Sequence, residues 1–97
     1  MSKIKKECWN LDFNLVKWIN THLKVYKKDA SRHIDLTFHK FTYNYEEYTL
    51  EQLIDMLIYI TDRILDNYEY FEPTKELDEL KDRMYEILKL IHWNLWW

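Results

Sequence analysis

The chain has 97 residues, of which 47% are hydrophobic, 18% aromatic and 32% charged, and its formal net charge at pH 7 is -3. This composition is too apolar for a disordered chain, so we expect residues 1–97 to form a single domain, with residues 1–9 as an N-terminal arm. No apolar segment has the length of a signal peptide or a membrane span, and the single cysteine, Cys8, excludes an internal disulfide. A cytoplasmic location is therefore expected.

Glycine is absent, and Pro73 is the only proline. Phosphate-binding loops and the sharp turns that carry nucleophilic serines both need glycine, so these enzyme classes are excluded. The four histidines and Cys8 lack the spacing of metal ligands, and we expect no cofactor and no metal. Positions with positive φ must be filled by residues such as Asn, Asp or His. The bias toward Lys, Asn, Ile and Tyr indicates an AT-rich gene, as in many phages and mobile elements.

A first helix is predicted between about residues 3 and 28. It has an apolar stripe whose members follow one another at alternating spacings of four and three residues: Ile4, Cys8, Leu11, Leu15, Trp18, His22 and Val25. The helix is expected to start near residue 10, with the side chain of Asn10 or Asp12 as its cap. We expect the stripe to be the packing face of this helix, in the core or at an interface.

A β-hairpin is predicted next, because apolar residues alternate with period two and the phase reverses at His39 and Lys40. A turn at these two residues explains the reversal, since residues opposite one another on paired strands share a face. The predicted pairs are Phe38–Phe41, Leu36–Tyr43 and Ile34–Tyr45. Two strands leave two open edges, so we expect two copies to pair edge to edge as a homodimer.

Two further helices are predicted in the second half of the chain. Thr49 and Gln52 form a capping box for the second helix, which should run to about Tyr70, and Thr74 should cap the third. The apolar stripes are Leu50, Leu53, Ile54, Leu57, Ile60, Ile64, Leu65 and Tyr68, and then Leu77, Leu80, Met84, Ile87, Leu88, Ile91 and Leu95. The short connection at Pro73 makes these helices an antiparallel helical hairpin. The expected fold is α+β, in the order α-β-β-α-α, with three helices packed on a small antiparallel β-hairpin.

Charge is divided unevenly along the chain. Residues 1–40 contain nine Lys or Arg and four Asp or Glu, whereas residues 41–97 contain five and thirteen. Five carboxylates gather on the face of the second helix opposite its apolar stripe: Glu51, Asp55, Asp62, Asp66 and Glu69. Like charges four residues apart on a helix cost roughly 0.2 to 0.5 kcal/mol per pair. We therefore interpret this face as a partner-binding surface that imitates the phosphates of a nucleic acid.

The C-terminal tryptophans form a second candidate contact surface. Trp93, Trp96 and Trp97 fall outside the buried stripe of the third helix when residues are placed at steps of 100°. Either the helix breaks near Asn94 and the tryptophans fold back onto Trp9 and Trp18, or they contact a second copy or another protein.

These features predict a non-enzymatic protein-protein interaction module. The most specific form of this prediction is an inhibitor or adaptor from a phage or mobile element that acts on a nucleic-acid-handling or defence enzyme. One alternative is a nucleic-acid-binding regulator that uses the basic N-terminal half. A second is a metal-dependent hydrolase, because the pair Glu76 and Glu79 and the pair Asp62 and Asp66 resemble the acidic helix pairs that hold magnesium in all-helical nucleotide pyrophosphohydrolases.

Overall fold

A computed structural model of the protein describes residue 5, residues 8–68 and residues 73–97. Within these ranges the elements are α1 (Leu11–Ala30), β1 (Lys40–Tyr43), β2 (Glu46–Thr49), α2 (Leu50–Asp66) and α3 (Lys75–Ile91), followed by a 3₁₀ turn at His92–Asn94. The central helix α2 packs against both α1 and α3. The predicted α+β class and the order α-β-β-α-α are therefore confirmed.

The start of α2 follows the predicted capping box. The Thr49 hydroxyl accepts from the Gln52 amide at 3.1 Å, and the Gln52 side chain accepts from the Thr49 amide at 2.9 Å. The helix ends at Asp66, earlier than predicted, and the backbone and side-chain amides of Asn67 both donate to the Arg63 carbonyl in its last turn. The predicted end at Tyr70 lies outside the described residues.

The core lies along α2, as its apolar stripe predicted. Leu53, Ile54 and Leu57 are completely buried there. The third helix, α3, begins after Thr74, whose hydroxyl caps its first turn by accepting from the Leu77 amide at 3.1 Å. The buried residues of this helix are Leu77, Leu80, Met84, Ile87 and Ile91, whereas Leu88 and Leu95 are half-buried. Both predicted stripes thus form the packing faces of their helices.

The hairpin exists, but the predicted turn and register are wrong. β1 and β2 pair antiparallel as Lys40–Thr49, Phe41–Tyr48, Thr42–Glu47 and Tyr43–Glu46. The turn lies at Asn44 and Tyr45, whose φ angles are 49° and 66°. Two successive positive φ angles are what a tight two-residue hairpin turn requires, and here neither position is a glycine.

The predicted first strand is replaced by a turn that Asp35 holds. Its carboxylate accepts from the Thr37 amide at 2.9 Å and from the Thr37 hydroxyl at 2.6 Å. Such local side-chain bonds compete with strand pairing for the backbone amides. Ile34, Leu36 and Phe38 therefore do not pair with Tyr45, Tyr43 and Phe41, although Leu36 is still buried in the core.

The first helix starts where predicted, but its cap differs. Asn10 precedes α1 with a left-handed backbone (φ 53°, ψ 48°), and its side chain makes no capping bond. Side-chain capping normally requires an extended backbone at this position, which explains the difference.

The face of α1 that meets the core is also different from the expected one. Its buried residues are Val16, Asn20, Leu23 and Ala30. The described members of the predicted stripe, from Cys8 to Val25, are all exposed. At 100° per residue the two faces are centred roughly 120° apart around the helix. Ile4, the first member of the stripe, lies outside the described residues.

A polar cluster explains why the less apolar face of α1 is turned inward. Asn20 is only 4% exposed, and its side-chain amide donates to the Thr61 hydroxyl at 2.8 Å and to the Asp62 carboxylate at 2.9 Å. A buried amide is costly without such partners, so these bonds fix the rotation of α1 against α2. Thr61 in turn donates to the Leu57 carbonyl at 2.8 Å.

We predict that Asn20→Ala lowers the free energy of unfolding by about 1 to 3 kcal/mol, because it removes the donor to the buried Thr61 hydroxyl and leaves a gap at the contact of α1 with α2, while Asp62 keeps Lys24 as a donor. Urea unfolding followed by circular dichroism measures the change. Thr21→Ala is the matched control, since the exposed Thr21 hydroxyl bonds only to carbonyls of its own helix. Equal effects of the two substitutions would contradict an anchoring role for Asn20.

Candidate protein-interaction surfaces

The predicted acidic face of α2 is partly neutralised by α1. Asp55 forms an ion pair with Lys27, and Asp62 forms one with Lys24 at 3.0 Å. The hydrogen bond with Asp55 raises the pKa of the Lys27 ammonium above its ordinary value. Asp66 is exposed and Glu51 is half-buried. Glu69 lies outside the described residues.

This arrangement changes the character of the acidic face. Two of its carboxylates lie against lysines, so the edge of α2 beside α1 presents both signs of charge and not a row of phosphate-like groups. Exposed pairs of this kind contribute only about 0.2 to 1 kcal/mol each to stability. Their main effect is to remove Asp55 and Asp62 from the charges that are free to attract a basic partner.

The basic N-terminal half is altered by the same contacts. Lys24 and Lys27 belong to the two ion pairs, and Lys40 lies 3.6 Å from Glu47. A nucleic-acid platform would also need exposed aromatic rings on the hairpin. Tyr43 is buried and Phe41 is half-buried, so the hairpin uses these rings for the core, whereas the Tyr45 ring at the turn is fully exposed.

The C-terminal tryptophans do fold back, but onto a different part of the chain than predicted. The helix ends at Ile91, and the Tyr26 hydroxyl donates to the Trp96 carbonyl at 2.9 Å. The Trp97 ring lies 5.6 Å from that of Tyr26 and 6.0 Å from that of His33, nearly parallel to the latter. The anchor is thus the C-terminal end of α1, and not the predicted Trp9 and Trp18.

The tryptophans nevertheless remain open to solvent. Trp93 is 86% exposed, Trp96 59% and Trp97 56%, and we call these three residues the tryptophan tail. Trp96 also borders an open groove of about 260 Å³, whose other lining residues are Ile34, Asp35, Phe38, His39, Leu50 and Asn94. Phe38 is 74% exposed, so a second large ring stands at this groove. Phe38 is not among the partner-binding residues predicted from the sequence, because its alternation with polar residues places it on the hairpin face.

A further apolar surface runs along α1. We call it the outer stripe: Leu11, Leu15, Trp18, His22 and Val25, all of which are exposed. The sequence singled out these residues by their spacing but could not show that they point away from the core. Scattered exposed apolar residues are normal in soluble proteins, whereas a contiguous row typically marks a contact surface.

The acidic side chains of α3 border a groove between α2 and α3 of about 500 Å³. The Arg63 guanidinium reaches across it and donates to the Glu76 carboxylate at 2.7 Å. Within the described ranges, no three His, Cys, Asp or Glu residues are grouped so that they could hold a metal ion.

Comparisons with protein-family models, with curated proteins and with solved structures find no match for this chain. Among the helices of the described residues, none is both long and apolar enough to cross a membrane.

Three tyrosines tie the stability of the protein to pH, and in Tyr48 the hydrogen bond with Glu46 raises the pKa. Burial raises the pKa of Tyr26, and burial together with the hydrogen bond to Glu86 raises the pKa of Tyr43. A raised pKa in the folded state means that the folded protein holds the neutral phenol more tightly than the unfolded chain does. Stability is then fully present below the unfolded value of about 10 and is lost as the pH rises through the folded pKa.

We therefore predict that the melting temperature falls steeply above about pH 10, where tyrosine ionises in the unfolded chain. The fall should be shallower in the double variant Tyr26→Phe/Tyr43→Phe, which has no phenol to ionise at these sites. Differential scanning calorimetry across the alkaline range measures this slope. Tyr45→Phe, at a fully exposed position, is the control and should keep the wild-type slope. An unchanged slope in the double variant would rule out the Tyr26 and Tyr43 phenols as the cause.

Proposed function

We propose that the protein is a non-enzymatic protein-protein interaction module that binds a partner through the tryptophan tail and the adjoining groove. The observation that carries this proposal is that three indole rings, each more than half exposed, lie on a backbone that Tyr26 holds in place. Tryptophan is among the residues most enriched at the energetic centres of protein interfaces.

The geometry favours a partner with an apolar side chain or pocket. The Tyr26 hydroxyl holds the backbone of the tail, and the Trp97 ring packs against Tyr26 and His33. A contact surface that is already ordered loses less conformational entropy on binding. The groove beside Trp96 adds a concave apolar site, with Phe38 at its border.

An inhibitor or adaptor that binds by imitating nucleic acid is less well supported. That mechanism needs a row of unpaired carboxylates on α2, whereas Asp55 and Asp62 are paired with lysines of α1. An inhibitor or adaptor role through the tryptophan tail remains part of the proposal, because it requires only that the partner be a protein.

Affinity capture from the native host distinguishes the tryptophan tail from the acidic face of α2 as the contact surface. The wild-type protein and its variants are each used to capture the partner. We predict that Trp93→Ala/Trp96→Ala reduces recovery of the specific partner at least tenfold, because such ring truncations typically cost about 2 kcal/mol or more. Asp55→Asn/Asp62→Asn should leave recovery within about twofold, as expected for side chains outside the contact. Quantitative mass spectrometry measures both ratios.

Tyr45→Ala is the matched control, since it removes a fully exposed ring from the hairpin turn and should not change recovery.

The dependence of partner binding on salt concentration gives an independent readout. An apolar contact persists at high ionic strength, whereas binding through an acidic face weakens because the charges are screened. Loss of the partner with the Asp55→Asn/Asp62→Asn bait, together with sensitivity to salt, would overturn the proposal in favour of the acidic face.

A further inference from the structure

The outer stripe of α1 has the spacing of a coiled-coil seam. Its members alternate by four and three residues from Leu11 to Val25, a period of 3.5 that keeps one side of a helix toward a partner helix. The seam faces solvent in the described chain, since Trp18 and Val25 are each 59% exposed. We propose that the seam is covered by α1 of a second copy, so that two chains form an antiparallel two-helix coiled coil.

The exposed area of the chain is large enough for an interface of standard size. The protein exposes 7407 Å² of surface. A folded monomer of 12.3 kDa is expected to expose about 6,100 Å². The excess of about 1,300 Å² is more than the roughly 800 Å² that each partner buries in an interface of standard size. A symmetric pair of seams would bury apolar surface on both chains with a single contact.

Charge selects the antiparallel orientation. Asp29 lies on the same seam, one heptad beyond His22. A parallel pair would place the two Asp29 carboxylates opposite each other, and likewise the two His22 rings. An antiparallel pair centred near residue 20, the middle of α1, places Asp29 beside Leu11 at the start of the second copy's helix. The first helical amides there are unbonded and carry partial positive charge, which favours a carboxylate. Asp12 in the same turn is already engaged, since its carboxylate accepts from the Tyr68 hydroxyl at 2.8 Å.

The same register gives complementary apolar layers. Leu15 lies opposite Val25 of the second copy, and Trp18 lies opposite His22. Within one chain the Trp18 and His22 rings already stack, with centroids 3.8 Å apart and planes 17° apart. The two copies therefore bring two stacked pairs of rings, one from each chain, to the centre of the seam. Offset contacts between aromatic rings add to apolar burial there.

The hairpin edges are a poorer interface than α1. Each strand has four residues, and Glu46 and Glu47 are exposed on β2. Short strands with charged side chains are how proteins prevent edge-to-edge pairing. The dimer proposed here therefore uses a different surface from the one predicted from the sequence.

Sedimentation equilibrium of the full chain tests the pairing. We expect a particle of twice the chain mass at micromolar concentration. Leu15→Glu and Val25→Glu should each raise the dissociation constant of the dimer at least about tenfold, because a carboxylate would be buried in the seam. Both positions are exposed in the single chain, so circular dichroism should show an unchanged fold. Tyr59→Glu, an equally drastic change at an exposed site on α2, is the control and should leave the dimer intact.

Engineered disulfides test the orientation in a Cys8→Ser background, which removes the exposed native thiol. Leu15→Cys/Val25→Cys should cross-link two chains under mild oxidation, because the two positions face each other in the antiparallel pair. Within one helix they are about 15 Å apart, too far for a disulfide. Leu15→Cys alone should not cross-link, since the two copies of residue 15 are similarly distant.

Three results would overturn this proposal. A monomer at all accessible concentrations would mean that a helix of a different protein, or nothing, covers the outer stripe. A dimer that survives both glutamate substitutions would place the interface elsewhere. Efficient cross-linking by Leu15→Cys alone would show a parallel pair. None of these results bears on binding at the tryptophan tail, so the two proposals stand or fall separately.

Discussion

The hydrogen bonds of Asn20 are the constraint on which the remaining surfaces depend. Because its amide is buried and bonded to Thr61 and Asp62, α1 has to present a mixed face to α2. The ion pairs of Lys24 and Lys27 reinforce this rotation from the rim of the contact. A helix with two apolar faces is thus held with the more regular one turned outward, where it is available for association.

The same rotation determines which charges and rings reach solvent. It brings Lys24 against Asp62 and Lys27 against Asp55, so two carboxylates of α2 are paired within one molecule. It also positions Tyr26 so that its hydroxyl holds the Trp96 carbonyl. The backbone of the tail and the Trp97 ring are therefore held by contacts with Tyr26, while all three indole rings stay more than half exposed. Two exposed apolar surfaces, the outer stripe and the tryptophan tail, are features that fit the proposed role in contact with other chains.

Features that depend on neighbouring residues were predictable from the sequence. The caps at Thr49 and Thr74 and the buried stripes of α2 and α3 follow from local hydrogen bonding and helical periodicity, and the structure confirms them. The turn at Asn44 and Tyr45 was missed because it contains no glycine. The predicted strand before it was wrong, since the Asp35 side chain bonds to the backbone that would have paired.

The sequence by itself determined the number, order and type of the described elements, and it identified the outer stripe and the terminal tryptophans as unusual. Only the tertiary structure decided which way these features face. The reason is that periodicity shows that residues share one side of a helix but not whether that side meets the core. Hydrophobicity alone would have buried the stripe of Leu11, Leu15 and Trp18. A polar contact 41 residues away in sequence, between Asn20 and Thr61, turned it to the surface.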